Sequence, residues 1–83
     1  MVFRLLIDSE VLEKLSRMPE GQRRAVYEHL GKIQRYPGHY SDYIRPDAEG
    51  RRLDVSIFRR FCIVYWTDAA DRHVKILDLE ENE

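Results

Sequence analysis

The chain has a single cysteine and no long apolar run, and each of these scarcities excludes a class of protein. The single thiol, Cys62, cannot form an intramolecular disulfide or complete a cysteine-rich zinc site. No apolar run approaches the roughly 18 residues that a membrane-spanning helix requires. The segment from Met1 to Asp8 becomes charged too early for a secretion signal. We therefore expect a protein of the reducing cytoplasm with no membrane partner.

The charges nearly balance, with 14 basic and 15 acidic residues and a net charge of −1. No global field therefore attracts this protein to nucleic acid. The distribution is less even, because arginines concentrate in the middle of the chain while acidic residues dominate its end. This unevenness leaves two interpretations open, a local basic surface and a mixed, solvated exterior.

The last third of the chain predicts three consecutive strands joined by two short charged turns. In the first strand, Leu53 and Val55 are the predicted core positions, while Asp54 and Ser56 alternate with them and are predicted to point outward. The second run, 61–66, is apolar throughout, which favours a central strand covered on both faces and makes Cys62 a buried packing thiol. The third run, 73–79, is mixed. Together these runs predict a β-meander.

A strand and two helices are predicted to precede the meander. The strand covers 2–7, and the helices cover 9 to about 18 and 20 to about 36. The order β-α-α-β-β-β predicts a single α+β domain over 1–83, with two helices packed on a mainly antiparallel, four-stranded sheet. The predicted core consists of Phe3, Leu5, Leu12, Leu15, Val26, Leu30, Ile33, Leu53, Val55, Ile63, Val74 and Ile76, with Tyr27 as an additional helix contact.

The second face of the central strand predicts an interaction surface. Two helices cover only one face of a sheet, yet the run 61–66 is apolar on both. We therefore expect an apolar patch that a second copy of the chain, as in a homodimer, or a partner protein covers. The predicted patch comprises Cys62, Val64, Trp66, Leu77 and Leu79. The segment 36–43 of the same chain is the alternative cover.

The segment 36–50 is predicted to be irregular and contains tyrosines interleaved with basic groups. Tyr40, Tyr43 and Arg45 are candidates for RNA contact, because aromatic rings stack on unpaired bases and arginine binds phosphate. The same tyrosines would also suit an ordinary structural role, in which they lie over the sheet edge and fix the loop. Both interpretations stay open.

Further candidates flank the meander. Arg51, Arg52, Arg59 and Arg60 surround its first hairpin and are candidates for phosphate binding, although hairpin turns are also commonly charged. His73 and Lys75 begin the last strand and share one face because strand side chains alternate. They are the candidate catalytic pair, since the unperturbed pKa of histidine lies near neutrality. A solvated edge histidine is the alternative. No His, Asp or Glu spacing typical of a metal site occurs, and there is no glycine-rich phosphate loop.

The element order, the Pro37-Gly38 helix exit and the segment Phe61-Cys-Ile-Val-Tyr65 before an acidic turn resemble the RelE/ParE superfamily of bacterial toxins. Members often read Tyr-Arg-Ile-Val-Tyr, followed by an Asp-containing turn and a hydrophobic last strand. The resemblance implies the toxin of a toxin–antitoxin pair with a cognate antitoxin protein as partner. It further implies either metal-independent, cofactor-free cleavage of mRNA on the ribosome, as in the RelE branch, or action on DNA gyrase, as in the ParE branch.

The chain departs from the catalytic pattern that this resemblance implies. Cys62 stands where the motif has arginine, and Asp54 and Ser56 stand where the preceding strand usually offers outward lysines or arginines. After the last strand, Glu80-Glu-Asn-Glu83 replaces an arginine and an aromatic or histidine. We therefore expect endoribonuclease activity to be weak or lost. The alternative is a non-catalytic domain of the same fold that binds only a protein partner.

Overall fold

The computed structural model describes residues 3–82. Its five strands are β1 (Arg4–Ile7), β2 (Tyr43–Pro46), β3 (Arg52–Phe58), β4 (Phe61–Asp68) and β5 (His73–Glu81), and its two helices are α1 (Ser9–Ser16) and α2 (Glu20–Arg35). Both helices lie between β1 and β2 in the chain. The predicted α+β architecture is confirmed, although Val2, assigned to the first strand, and Glu83 fall outside the described residues. No helix within 3–82 is long and apolar enough to cross a membrane.

All five strands form one sheet in the order β1-β5-β4-β3-β2. The strands from β2 to β5 pair antiparallel, whereas β1 pairs parallel to the beginning of β5. The prediction of four strands is wrong by one, because Tyr43–Pro46 lies within the segment that was predicted to be irregular. This short edge strand ends at Pro46, and its pairing with β3 could not be inferred from alternation along so few residues.

The helices begin and end where local chemistry favours it. Asp8 caps α1 by accepting a hydrogen bond from the backbone N–H of Glu10 at 3.0 Å. Pro19 immediately precedes α2. The segment that follows α2 is anchored to the sheet, because the hydroxyl of buried Tyr65 donates a hydrogen bond of 2.5 Å to the carbonyl of Pro37. The first helix ends at Ser16, two residues before the predicted Met18.

The main core lies between the helices and one face of the sheet, here called the helix face. It comprises Val11, Leu15, Val26, Leu30, Ile33, Phe61, Ile63, Tyr65, Val74, Ile76 and Leu79. Phe3 and Leu5 pack against it as predicted. Leu12 and Tyr27 do not, because they are 44% and 42% exposed. Val11 and His29 are buried in addition, whereas Leu15, Val26, Leu30 and Ile33 are buried as predicted, so the prediction is wrong at one position on each helix.

A second buried cluster lies on the opposite face of the sheet, here called the open face. It consists of Leu53, Val55, Cys62 and Val64, with Trp66 and Leu77 packed against it. The prediction that Leu53 and Val55 point inward is correct for burial but wrong for the face, because they point away from the helices. The neighbouring Ser56 was predicted to point outward, but it is buried, with 1% of its surface exposed. Its hydroxyl makes a hydrogen bond of 2.8 Å with the imidazole of His29 on α2.

A bulge on β5 explains a further difference. Val64 pairs with Asp78 and the adjacent Tyr65 pairs with Ile76, so Leu77 is an extra residue on its strand. Strict alternation from Lys75 through Leu77 would place Leu79 on the open face. The extra residue shifts the alternation, and Leu79 packs into the main core instead. The predicted apolar patch therefore loses Leu79, since a bulge cannot be recognised from apolar periodicity alone.

Candidate functional site

Most sequence-predicted site residues lie on the open face or at its rim. Cross-strand partners share a face, so the pairings place Tyr43, Arg45, Cys62, Trp66, His73, Lys75 and Glu80 on the open face. The two candidate catalytic residues, His73 and Lys75, thus share a face as expected. The twisted sheet also lets long side chains from its outer strands extend over the apolar residues between them.

One end of the open face is a cationic aromatic cluster around Trp66. The guanidinium of Arg51 lies over the indole, 4.9 Å from the ring centroid. Lys75 is the cross-strand partner of Trp66, and Leu6 lies beside Lys75 on β1. Such a half-buried indole flanked by two cations provides a stacking surface together with groups that attract phosphate.

Arg51 is held in place by the loop that precedes β3. Asp47 accepts from the backbone N–H of Arg51 at 2.8 Å and from its side-chain Nε at 2.9 Å. Backbone hydrogen bonding from Arg51, added to that from Glu49 and to the guanidinium charge, keeps the pKa of Asp47 below its usual value. The loop closes at Gly50, whose φ of +81° favours glycine. Arg51 is therefore positioned over Trp66 by a folded loop.

His73 lies at the beginning of β5, in the row next to this cluster. Its cross-strand partners are Asp68 on β4 and Arg4 on β1, so it has an acidic neighbour on one side and a basic neighbour on the other. The imidazole is half-buried. His73 therefore lies two residues along β5 from Lys75, the cross-strand partner of Trp66, and on the same face.

The other end of the open face is polar and carries an ion pair. Arg45 donates to both carboxylate oxygens of Glu80, at 3.3 and 3.0 Å. Hydrogen bonding to Glu80 raises the pKa of the Arg45 guanidinium above its ordinary value. Partial burial, followed by the neighbouring Cys62 thiol, raises the pKa of the Tyr43 phenol. Asn82 donates to the Cys62 sulfur at 2.9 Å, so the buried thiol is covered by polar side chains.

These contacts change the predicted apolar patch. Val55 and Val64, at the centre of the open face, are 0% and 2% exposed. Tyr43 ends the segment 36–43 that is the alternative cover, and Arg45 lies just beyond it. These two residues flank Val55 and Leu53 across the β2–β3 pairing. The exposed apolar groups that remain on this face are Leu6, Tyr43 and Ile57. Residues of the chain itself therefore bury the centre of the patch, and association with a second copy or a partner protein stays a prediction.

Arg59 and Arg60, the adjacent arginines of the β3–β4 turn, lie apart from the cationic aromatic cluster around Trp66. Arg59 adopts a left-handed φ of +56° to make the tight turn, and its guanidinium lies over the ring of Phe58. Arg60 is paired with Glu81 at 3.0 Å. Arg60 also lines a cleft of about 450 Å³ between the α1–α2 connection and the ends of β4 and β5. This turn is a second, separate basic region.

Arg52 and Tyr40 are the two candidates that the structure separates from both regions. Arg52 lies on the helix-face side of β3, 3.7 Å from the carboxylate of Asp54. Tyr40 packs against the main core and meets the ring of His29 edge-on, with centroids 5.5 Å apart. A structural role for Tyr40 follows from this packing, which matches the alternative considered for the loop tyrosines.

Sequence reasoning missed the roles of Glu80 and Trp66. In the sequence, Glu80 is interpreted only as one of the acidic residues that replace the family's arginine, and Trp66 only as part of an apolar patch. Glu80 contacts Arg45, and Trp66 contacts Arg51. Both contacts join residues that are distant in the chain, so no local sequence pattern predicts them. Within 3–82, no three His, Cys, Asp or Glu side chains are grouped closely enough to hold a metal ion.

Comparison with solved structures identifies the class of fold as that of the RelE toxins. The chain superposes on the toxin–antitoxin complex RelBE2 of Mycobacterium tuberculosis with a TM-score of 0.80 and 18% identity, covering 99% of this chain and 100% of that one. For the archaeal RelE–RelB complex of Pyrococcus horikoshii the TM-score is 0.79 at 20% identity, covering 98% and 96%. For the intact E. coli RelBE complex it is 0.73 at 15% identity, covering 98% of both.

The resemblance inferred from the sequence is therefore confirmed at the level of the fold. No family model matches the sequence, and no curated protein does either. The relationship is visible in three dimensions because the strand order, the two helices and the sheet are retained while about four in five residues differ from the neighbours described above.

Proposed function

We propose that this protein is a RelE-like toxin of a toxin–antitoxin pair that acts by binding RNA or the ribosome through the open face of its sheet. The observation that carries the proposal is the fold itself, which superposes over 99% of the chain on the RelBE2 toxin–antitoxin complex. The cluster of Trp66, Arg51 and Lys75 supports an RNA target, because an indole stacks on bases and the two cations bind phosphates. The expected partners are a cognate antitoxin protein and RNA.

Cleavage, where it occurs, would rest on the same face. His73 is the group suited to move a proton to or from a ribose 2′-oxygen or a leaving oxygen, and Lys75 stabilises negative charge beside it. Cys62 supplies no charge at the position where the resembling motif has arginine. We therefore propose a metal-independent endoribonuclease whose rate is low, with binding as the stronger of its two properties.

A second candidate function is a protein-interaction domain that has lost RNA chemistry. It is favoured by one specific observation, the pairing of Arg45, Arg51 and Arg60 with carboxylates of the same chain. Paired guanidinium groups attract phosphate less than free ones do. The two functions share a fold and an antitoxin-like partner, and they differ in whether the open face binds RNA.

Tightly controlled expression tests the proposal. Induction in a bacterial host should slow growth and shorten the lifetime of reporter mRNA, and the Arg51→Ala/Lys75→Ala double variant should relieve both effects. The matched control is Arg24→Ala/Arg35→Ala, which removes the same charge from exposed positions on α2. Slowed growth with intact mRNA would favour another target such as gyrase. Unchanged growth, with no RNA or ribosome binding at low salt, would favour the protein-interaction domain.

A further inference from the structure

The Arg45–Glu80 ion pair crosses the open face. Arg45 lies on the edge strand β2 and Glu80 on β5, and the sheet order places both β3 and β4 between them. The guanidinium reaches the carboxylate with two hydrogen bonds, Nη1 to Oε1 at 3.3 Å and Nη2 to Oε2 at 3.0 Å. Arginine forms this same fork with the two oxygens of a phosphate. The pair therefore shows a guanidinium already oriented toward an oxyanion.

The position of the pair matters as much as its geometry. The cross-strand partner of Glu80 is Cys62, whose side chain carries no charge. The two hydrogen bonds to Glu80 therefore hold the Arg45 guanidinium near Cys62, a position of β4 that carries no charge. Arg45 also shares this face with Trp66 and Lys75. A polynucleotide stacked on Trp66 would pass close to Arg45.

The pair is too exposed to contribute much to folding stability. Each of the two side chains retains 39% of its exposure. Ion pairs with this degree of exposure contribute little, because water and salt screen them. Only rotation about side-chain bonds is needed to separate the two groups, since each lies on its own paired strand. An anion that forms a comparable fork can therefore replace Glu80.

We propose that Glu80 is a built-in competitor for the RNA-binding site, and that Arg45 binds a phosphodiester of single-stranded RNA once Glu80 releases it. This inference rests on the proposed function, because it assigns a regulatory contact to the same open face. Glu80 acts as a surrogate phosphate that lowers the affinity for RNA. Its displacement adds one phosphate contact to those available from Arg51 and Lys75.

The experiment measures the binding of a fluorescein-labelled octanucleotide of mixed sequence, fully 2′-O-methylated so that it cannot be cleaved through the 2′-oxygen. Fluorescence anisotropy is followed over a series of salt concentrations for the whole chain. Glu80→Gln should bind about fivefold more tightly than the wild type at 0.1 M salt, because one added phosphate contact steepens the salt slope by about 0.7 on single strands. Arg45→Ala/Glu80→Gln should lose this gain.

The matched control is Glu20→Gln, which removes the same charge and releases Arg24, paired at 3.0 Å on the exposed side of α2. It should not reproduce the gain. Circular dichroism confirms that each variant is folded. Wild-type binding that Glu80→Gln leaves unchanged would overturn the competitor role while the proposed function stands. Equal gains in Glu80→Gln and Glu20→Gln would also overturn it, as a general charge effect. Absence of binding by every variant would overturn both.

Discussion

The imidazole of His29 on α2 and the hydroxyl of Ser56 on β3 share a buried hydrogen bond of 2.8 Å between Nε2 and Oγ. The histidine ring stacks on Phe58, with centroids 4.5 Å apart, and meets Tyr40 edge-on. The contact ties the second helix to the third strand at a place where the sheet would otherwise present a lone polar group to the core. Burial, followed by the nearby Lys32 charge, lowers the pKa of His29, while Asp42 acts in the opposite direction.

The first prediction is that folding stability decreases on mild acidification. In the unfolded chain His29 binds a proton near its ordinary pKa of about 6.5, whereas in the folded chain it binds a proton only at lower pH. The unfolded state therefore binds more protons in this window, and the free energy of unfolding must decrease as the pH falls below about 6.5. Urea unfolding between pH 8 and pH 5 should show this loss. His29→Gln should reduce it, and an identical pH dependence in both proteins would contradict the assignment.

The second prediction compares residues buried in the main core with Leu12, which was predicted to lie in the core but is exposed. Leu30→Ala should reduce the free energy of unfolding by about 2–5 kcal/mol, because it leaves a cavity beneath α2. Ile63→Ala on the central strand should have a comparable effect. Leu12→Ala is the matched control, since Leu12 is 44% exposed and should change stability much less. Denaturant midpoints compare the three, and equal losses for Leu12 and Leu30 would show that the orientation of α1 is wrong.

The third prediction addresses the exit from α2. Tyr65→Phe keeps the ring but removes the hydroxyl that donates to the Pro37 carbonyl. Leaving that acceptor without its partner in a buried setting should cost about 1–3 kcal/mol. Tyr36→Phe removes a hydroxyl from a side chain that is 62% exposed and should be nearly neutral. Thermal unfolding measures both, and the argument fails if the two substitutions shift the midpoint equally.

The fourth prediction compares the candidate catalytic histidine with the arginines of the β3–β4 turn. The turn adjoins the end of the open face where Ile57 pairs with Cys62, so RNA bound on that face is expected to extend to these arginines. Arg59→Ala/Arg60→Ala should weaken RNA binding and flatten its salt dependence, because arginine is always charged and each lost phosphate contact on single-stranded RNA removes about 0.7 from the slope. His73→Ala should change binding less. Filter binding at several salt concentrations, together with gel analysis of RNA integrity, separates the two. Strong cleavage that disappears only in His73→Ala would instead establish a histidine-dependent nuclease.

Local patterns in the sequence determined most of the secondary structure and the architecture. Asp8, immediately before the predicted first helix, caps it, and Val26, Leu30 and Ile33 repeat at helical spacing on the buried side of α2. The apolar run at the centre of the meander became the central strand β4. These features depend on backbone hydrogen bonding and on periodicity over a few residues, so they are encoded locally. The family resemblance was accessible for the same reason.

Only the tertiary structure decided which face each strand presents and which distant groups meet. Because of the bulge at Leu77, Leu79 packs into the main core. The pairing of β2 with β3 places Arg45 on the open face, where its side chain reaches Glu80 across the sheet. The partner of Ser56 on the helix face was likewise a histidine 27 residues away in the chain. One inserted residue reverses the alternation of a strand, and contacts between distant residues depend on how the whole chain packs. The sequence therefore determined the elements other than β2 and their order, whereas packing determined the composition of the open face.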